Sequence, residues 1–207
     1  AAVVPGGGAA PVAPVAPTLP DCLDSASFYV HSGTPLALET RRSRLFSGAV
    51  TPASLLFVRN NLPLPSADIV RAPDAWVLDV SGVGRPGGIS LATLKGLGRD
   101  TVTAVLQCSG NGRAFFEHGP SGSQWSVGAA GCVVWTGVLL STVVAHLGGS
   151  VDGMKYVTAT GGEILPQDVD PLDVVVERSI PIDKGMRDCL LAWEMNGQPV
   201  PITHGGP

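Results

Sequence analysis

Residues 118–151 contain no Asp, Glu, Lys or Arg, a pattern that raises the question of a membrane-spanning segment, although the first part is rich in Gly and Ser. Its apolar part covers only residues 132–147, whereas a membrane-spanning helix needs about 20 apolar residues. Leu139, Val143 and Leu147 follow the spacing at which a helix buries one face. We therefore expect a core helix that ends at Gly148, in a globular domain without a membrane span.

The composition is that of a globular domain rather than of a nucleic-acid-binding protein. Of the 207 residues, 44% are apolar and 14% are charged, and the net charge is −4 without any Lys/Arg-rich run. Residues 1–20 are uncharged and rich in Ala, Pro and Gly, which predicts a flexible leader over 1–24 and a domain over 25–207. Because the sequence starts with Ala1, we expect that a signal peptide has been removed on export.

The periodicity of apolar residues predicts a mixture of strands and short helices. Thr51 before Pro52 indicates the start of one helix, and Ser90 is a typical cap for another. Strands are predicted at residues 75–80, 101–107, 155–160, 173–177 and 190–194. The 101–107 segment (TVTAVLQ) is rich in apolar and β-branched residues, so we expect it to be buried. Strands and helices do not alternate regularly, which favours an α+β fold with a mostly antiparallel or mixed sheet.

The sharpest local feature is LQCSGNGR at residues 106–113, where the predicted buried strand ends at Cys108. The glycines that follow let backbone NH groups approach a ligand, and Arg113 can lower the pKa of the thiol and hold an anion. A buried structural cysteine is the alternative. A cysteine hydrolase with His118, His146 or His204 as base is a further alternative, whereas the glycines lack the pattern of a phosphate-binding loop. The residues alone thus indicate an anion-binding thiolate site.

Other polar positions are less distinctive. Arg59, Asn60 and Asn61 stand between an apolar run and two prolines, which is compatible with a polar ligand site or with a solvated turn. Trp125 could line a pocket or belong to the core, and Arg178 could bind a ligand or form a surface ion pair. The four cysteines form no Cys-x-x-Cys pair, which argues against structural zinc and a redox dithiol, and their pairing stays open.

Five motifs together resemble the molybdenum domain of the sulfite oxidase family, and they occur in the order of that family. They are FVRNNLPLP (57–65), LQCSGNGR (106–113), QWSVGAAGCVVWTGVLL (124–140), ERSIPIDKG (177–185) and LLAWEMNGQPVPITHGGP (190–207). The resemblance covers most of the chain from about residue 28 onward. Its RSIP and THGGP segments are most similar to bacterial sulfite dehydrogenases that pass electrons to a c-type cytochrome. It implies a mixed-sheet molybdopterin-binding domain.

The resemblance also implies roles for individual residues. Cys108 would be the protein thiolate on molybdenum, Arg59 and Arg113 would line the oxyanion pocket, and Trp125 would shape it. Matching cofactor-binding positions are Phe57, Val58, Arg59, Asn60, Asn61 and His204, although Asn61 stands where many relatives have histidine. Gln107, Ser109 and Asn111 would hold the loop in shape. The acidic cofactor contact of the family has no clear match, with Glu163 as one candidate.

The function implied is the oxidation of sulfite to sulfate at a molybdenum-molybdopterin centre in the periplasm, with a c-type cytochrome as electron acceptor. The family's active-site tyrosine, a further substrate arginine and a dimerisation domain would follow Pro207, so we expect a fragment of a protein that forms homodimers. Two alternatives remain. The same cofactor could act on sulfoxides or sulfane sulfur, or the chain could be a non-catalytic remnant.

Overall fold

The computed structural model describes residues 23–45, 48–161 and 177–207. Most of the predicted leader, most of the predicted strand at 173–177, and Glu163 lie outside these residues. The strands are β1 (Phe28–Gly33), β2 (Leu36–Thr40), β3 (Val58–Arg59), β4 (Val77–Val80), β5 (Gly87–Ser90), β6 (Asp100–Gln107), β7 (Ala130–Leu139), β8 (Tyr156–Thr160), β9 (Glu177–Pro181), β10 (Leu190–Met195) and β11 (Gln198–Pro199).

Helices are short throughout the described residues. The α-helices are α1 (Leu91–Leu97), α2 (Leu140–His146) and α3 (Ile182–Asp188). Single 3₁₀ turns occur at Ser25–Ser27, Arg42–Arg44, Ala53–Leu55, Ala67–Val70, Pro73–Ala75, Arg113–Phe115 and Ile202–His204. None of the helices in the described ranges is long and apolar enough to cross a bilayer.

Within the described ranges the strands form four small sheets, and every strand pair in them is antiparallel. One sheet has the order β1-β2-β3 and another has the order β11-β10-β7-β6, while β4 pairs with β5 and β8 pairs with β9. The α+β fold and its mostly antiparallel pairing are thereby confirmed.

The uncharged segment is partly a strand, which corrects the prediction of one core helix over its apolar part. Residues up to Leu139 belong to β7, which pairs with both β6 and β10, and only α2 is helical. The residues with helix spacing, from Leu139 to Leu147, nearly coincide with α2, whereas the apolar run before them carries no such spacing and forms the central strand of its sheet. The predicted end is right, because Gly148 follows the helix with φ 90°.

Strand β6 lies at the predicted position but is not buried, and this prediction was wrong. All eight of its residues are exposed, and Val105 retains 66% of its accessible surface. Among the strands of the described residues, β6 is the last one of its sheet and pairs only with β7. An apolar, β-branched sequence favours a strand, but burial depends on what packs above and below it.

Of the two predicted helix starts, the one at Ser90 is confirmed and the one at Thr51 is not. Ser90 Oγ accepts a hydrogen bond from the backbone N–H of Thr93 at 3.2 Å, which confirms the predicted cap. Thr51, predicted to open a helix, instead accepts a hydrogen bond from the Cys132 N–H through Oγ1 at 3.1 Å, and the turn begins after Pro52. Leu91 and Leu94 pack with Val143 and Trp193 in one of three apolar clusters.

Candidate functional site

Cys108 lies immediately after β6, as predicted, and its backbone is held on both sides. Its N–H donates to Ala129 O at 2.9 Å, and its carbonyl accepts from the Asn111 N–H at 2.9 Å. The half-buried thiol packs against an apolar cluster that contains Phe57 and Trp125. The loop therefore presents a fixed thiol at the edge of the core.

Asn111 joins the Cys108 loop to the neighbouring one. Its Oδ1 accepts a hydrogen bond from the Ala129 N–H at 3.0 Å, and the Ala114 N–H donates to Trp125 O at 3.0 Å. This contact fits the loop-holding role predicted for Asn111. Gln107 and Ser109 are exposed.

Arg113 lies in a slot between two glycines. A Cβ added to Gly110 would lie 2.6 Å from Arg113 Nη2, and one added to Gly122 would overlap Nη1. The guanidinium donates to Ser123 O at 3.0 Å, and no ion pair in the described parts of the chain includes it. The adjoining cavity has a volume of about 340 Å³ and is lined by Ser109, Gly110, Asn111, Arg113, Phe116, His118 and Pro120. A cation without an acidic partner thus faces a cavity beside the thiol loop, which suits an anionic ligand.

Arg59 is positioned by strand β3, where it lies opposite Ala37 of β2. Its guanidinium donates to Asn60 O and lies 3.5 Å from Asn61 Oδ1, and the side chain is exposed. Val58 is fully buried and belongs to the cluster that includes Phe28, so its side chain serves the core. The ion pairs of the described residues leave Arg59, like Arg113, without a carboxylate partner.

Asn60 and Asn61 line a groove with the last residues of the chain. The groove has a volume of about 180 Å³ and includes Gly205, Gly206 and Pro207. Asn60 Nδ2 is buried and has no hydrogen-bond partner in the described structure. A buried amide without a partner is costly, so this donor is suited to a polar ligand that enters the groove. The ring atoms and amide functions of a pterin would meet this requirement.

His204 links the terminal segment to the residues before β3. Its Nε2 donates to Phe57 O at 3.0 Å, which leaves Nδ1 to accept from the Thr203 hydroxyl at 3.0 Å. Burial lowers the pKa of His204, and the hydrogen bond to Phe57 O opposes this only in part. The imidazole is therefore neutral at physiological pH and holds this segment in place. Its predicted contact with the cofactor stays a prediction.

Trp125 is fully buried between two other rings. The His31 ring lies 4.6 Å from it in an edge-on arrangement, and the Phe57 ring lies 6.3 Å away. The residue therefore belongs to the core that supports the Cys108 loop, and its predicted part in shaping the pocket stays a prediction.

The cysteine hydrolase alternative finds no support in the described residues, where no hydrogen bond joins Cys108 to a histidine. His118 is exposed and tilted against Phe116, and His146 is exposed on α2. Arg178 donates to Glu177 O on the surface at 2.7 Å.

The structure thus brings Phe57, Trp125 and Cys108 into one cluster, and it brings Asn60 and Asn61 beside the terminal glycines. Of the two predicted substrate arginines, Arg113 lines the cavity beside the Cys108 loop and Arg59 does not. Sequence reasoning missed Glu39, a buried carboxylate that contacts the loop carrying Trp125. The available signal was one acidic residue within the strand sequence LALET.

Comparison with known proteins adds a family match. Residues 61–207 match the family described as the oxidoreductase molybdopterin binding domain. The chain is 35% identical over 188 residues to the mitochondrial sulfite oxidase of Mus musculus, covering 86% of this chain and 32% of that protein. It is 33% identical over 180 residues to the nitrate reductase [NAD(P)H] of Hordeum vulgare, covering 84% of this chain and 20% of that protein. The chain thus spans about a third of the length of the mammalian sulfite oxidases that it matches.

A solved structure shows a similar fold. The sulfane dehydrogenase SoxCD from Paracoccus pantotrophus superposes with a TM-score of 0.66 at 23% identity, covering 84% of this chain and 42% of that one. At this identity the likeness concerns the fold alone.

Proposed function

Because the chain belongs to the oxidoreductase molybdopterin binding domain family, with molybdenum-molybdopterin as its cofactor, we propose that it forms the cofactor-binding part of an enzyme that oxidises sulfite to sulfate. The choice of an anionic substrate rests on Arg113, which lines the cavity beside the Cys108 loop. In the described residues its guanidinium has no carboxylate partner. The similarity to sulfite oxidases over 86% of the chain supports sulfite as that anion.

The residues present fit the cofactor. Asn60 Nδ2 is a buried donor without a partner in the described residues, and Asn60 lines a groove together with Gly205 and Gly206. Cys108 supplies a half-buried thiol, and a soft thiolate suits a soft metal such as molybdenum. When bound, the cofactor supplies the two-electron oxidation that no side chain can perform.

The chain's own residues bind and orient the substrate. Arg113 lines the cavity and is held by Ser123 O and by its glycine slot, so the guanidinium is fixed in place before an anion binds. Arg59 extends from the β3 side with a second guanidinium. A fixed cation such as Arg113 favours a small anion over a neutral sulfoxide.

The proposed reaction converts sulfite and water to sulfate, two protons and two electrons. Two single-electron transfers to a c-type cytochrome would dispose of the electrons. This acceptor, the periplasmic location and a homodimer stay predictions from the sequence, and the full-length protein is needed to test them.

The test combines metal analysis with turnover in the full-length protein. We expect about one molybdenum per chain and sulfite-dependent reduction of cytochrome c. Cys108→Ser should abolish turnover, because a hydroxyl does not replace a soft thiolate ligand. Cys189→Ser is the matched control, since Cys189 is also half-buried but lies at the end of α3.

Three results would contradict the proposal in different ways. Turnover retained in Cys108→Ser would exclude the thiolate ligand. Oxidation of sulfane sulfur or conversion of dimethyl sulfoxide, without sulfite oxidation, would favour the related activities. A full-length protein that contains no molybdenum after expression in a cofactor-producing host would indicate a non-catalytic remnant.

A further inference from the structure

A buried carboxylate lies outside the set of residues predicted for the site. Glu39 is in β2, whose five residues are all buried, and it is only 2% exposed. Burying a carboxylate is costly unless several donors compensate the lost water. The partners of Glu39 therefore show what it does.

Its two oxygens accept hydrogen bonds from four donors. The His31 Nε2–H donates at 2.8 Å, the backbone N–H of Ser126 donates at 3.0 Å, and the backbone N–H of Gly128 donates at 2.9 Å. The Ser126 hydroxyl is the fourth donor. Burial raises the pKa of Glu39, but the hydrogen bonds from Ser126, Gly128 and His31 outweigh this effect and hold the pKa below its ordinary value, so the carboxylate is ionised at neutral pH.

The carboxylate joins two parts of the proposed site that are distant in sequence. On its own side, β2 pairs with β3, and Ala37 lies opposite Arg59. On the other side, the loop at 125–129 holds the Cys108 N–H through Ala129 O. Glu39 thus joins β2, the neighbour of the strand that carries Arg59, to the loop that supports the predicted metal ligand.

The close approach also depends on a glycine. A Cβ at Gly128 would lie 2.7 Å from Glu39 Cγ and would overlap Thr40 O. The loop therefore sits directly on β2, at a distance set by the carboxylate and its backbone donors.

We propose that Glu39 is a positioning residue that sets the Cys108 loop against the Arg59 strand and thereby fixes the separation of thiolate and substrate cation. This inference rests on the proposed function. The carboxylate is required because it only accepts hydrogen bonds, and the two backbone N–H groups and the hydroxyl all need an acceptor. A glutamine would turn an NH₂ group toward one of these donors.

The test uses Glu39→Gln in the full-length protein, with hydrogen–deuterium exchange measured by mass spectrometry alongside steady-state kinetics. We expect the amides of residues 125–129 to exchange about tenfold faster, as for the loss of a charge-assisted hydrogen bond. We expect the sulfite KM to rise by about tenfold with a smaller change in kcat, because the cation is displaced while the cofactor stays bound. Exchange in β8 and β9 should be unchanged.

Glu194→Gln is the matched control. Glu194 accepts two hydrogen bonds from Arg99, at 3.0 and 2.7 Å, on β10. Replacing this carboxylate should leave both the amide hydrogen exchange of residues 125–129 and the sulfite KM unchanged. If Glu39→Gln does not accumulate, Ser126→Ala removes one donor and should raise exchange in the same loop by a smaller factor.

Unchanged exchange in the 125–129 loop of both variants would overturn the proposal, and so would an equal increase throughout the protein. Faster loop exchange with an unchanged KM would also overturn it, since Glu39 would then serve stability alone. Failure of the proposed function is separate: wild-type protein would lack molybdenum or sulfite oxidation. In that case, faster exchange of the peptide that contains Cys108 in Glu39→Gln would still show that Glu39 positions this loop. Unchanged exchange of that peptide would show that it does not.

Discussion

Gly110→Ala tests the placement of Arg113 without removing its charge. A Cβ at this position would lie 2.6 Å from Nη2 and 2.8 Å from Cζ. Carbon contacts are normally about 3.5 to 4 Å, so the guanidinium would have to move by about 1 Å. Gly110 is not among the glycines with positive φ, and the atoms it would meet end a flexible side chain. We therefore expect displacement of the cation rather than unfolding.

A displacement of about 1 Å in a substrate-positioning group can cost about 100-fold in rate. We expect kcat/KM for sulfite to fall by about 10- to 100-fold, with molybdenum content and melting temperature close to the wild-type values. The assay is steady-state reduction of cytochrome c by the full-length protein, after metal analysis of each preparation.

The control is Gly96→Ala in α1, where a Cβ would meet nothing within 4 Å. This variant should keep its kinetics and gain about 0.5 to 1 kcal/mol of stability, because alanine favours helix. If Gly110→Ala retains wild-type kcat/KM, the position of Arg113 does not govern the reaction, and the assignment of this guanidinium to the substrate is wrong.

Two further predictions concern stability. Ser90→Ala removes the hydrogen bond to the Thr93 N–H and should lower the free energy of unfolding by about 1 kcal/mol, measured by urea denaturation; an unchanged midpoint would show that the cap contributes nothing. Because burial lowers the pKa of His204 below that of an unfolded histidine, the folded protein binds fewer protons. The stability linked to His204 should be complete above pH of about 6.5 and should be lost as pH falls below it. The free energy of unfolding, measured by urea denaturation from pH 5 to 8, should fall toward low pH in the wild type and fall less in His204→Gln. If the two proteins lose stability in parallel, the imidazole of His204 is not held neutral by the fold.

The candidate site could be located from sequence because its residues occur in continuous motifs. The match over residues 61–207 is consistent with the resemblance derived from those motifs. The sequence did not predict how the motifs are arranged: Phe57 and Cys108 meet in one cluster, whereas Arg113 lines a cavity that Arg59 does not line. A motif specifies its own residues, but the distance between motifs depends on how the sheets pack.

Local signals in the sequence determined where several elements start and end. The Ser90 cap, the glycine after α2 and the strand at Val77–Val80 each depend on residues only a few positions apart. Such interactions are present before the chain is compact. Pattern alone can therefore predict them.

The tertiary structure alone decided which elements are covered and which distant groups meet. It placed β6 at a sheet edge with both faces exposed, and it made the apolar residues before α2 a strand rather than the first part of a helix. It also paired Glu39 with a backbone N–H 87 positions away. Burial and long-range hydrogen bonds depend on the packing of the whole chain, and the residue types within one segment do not specify it.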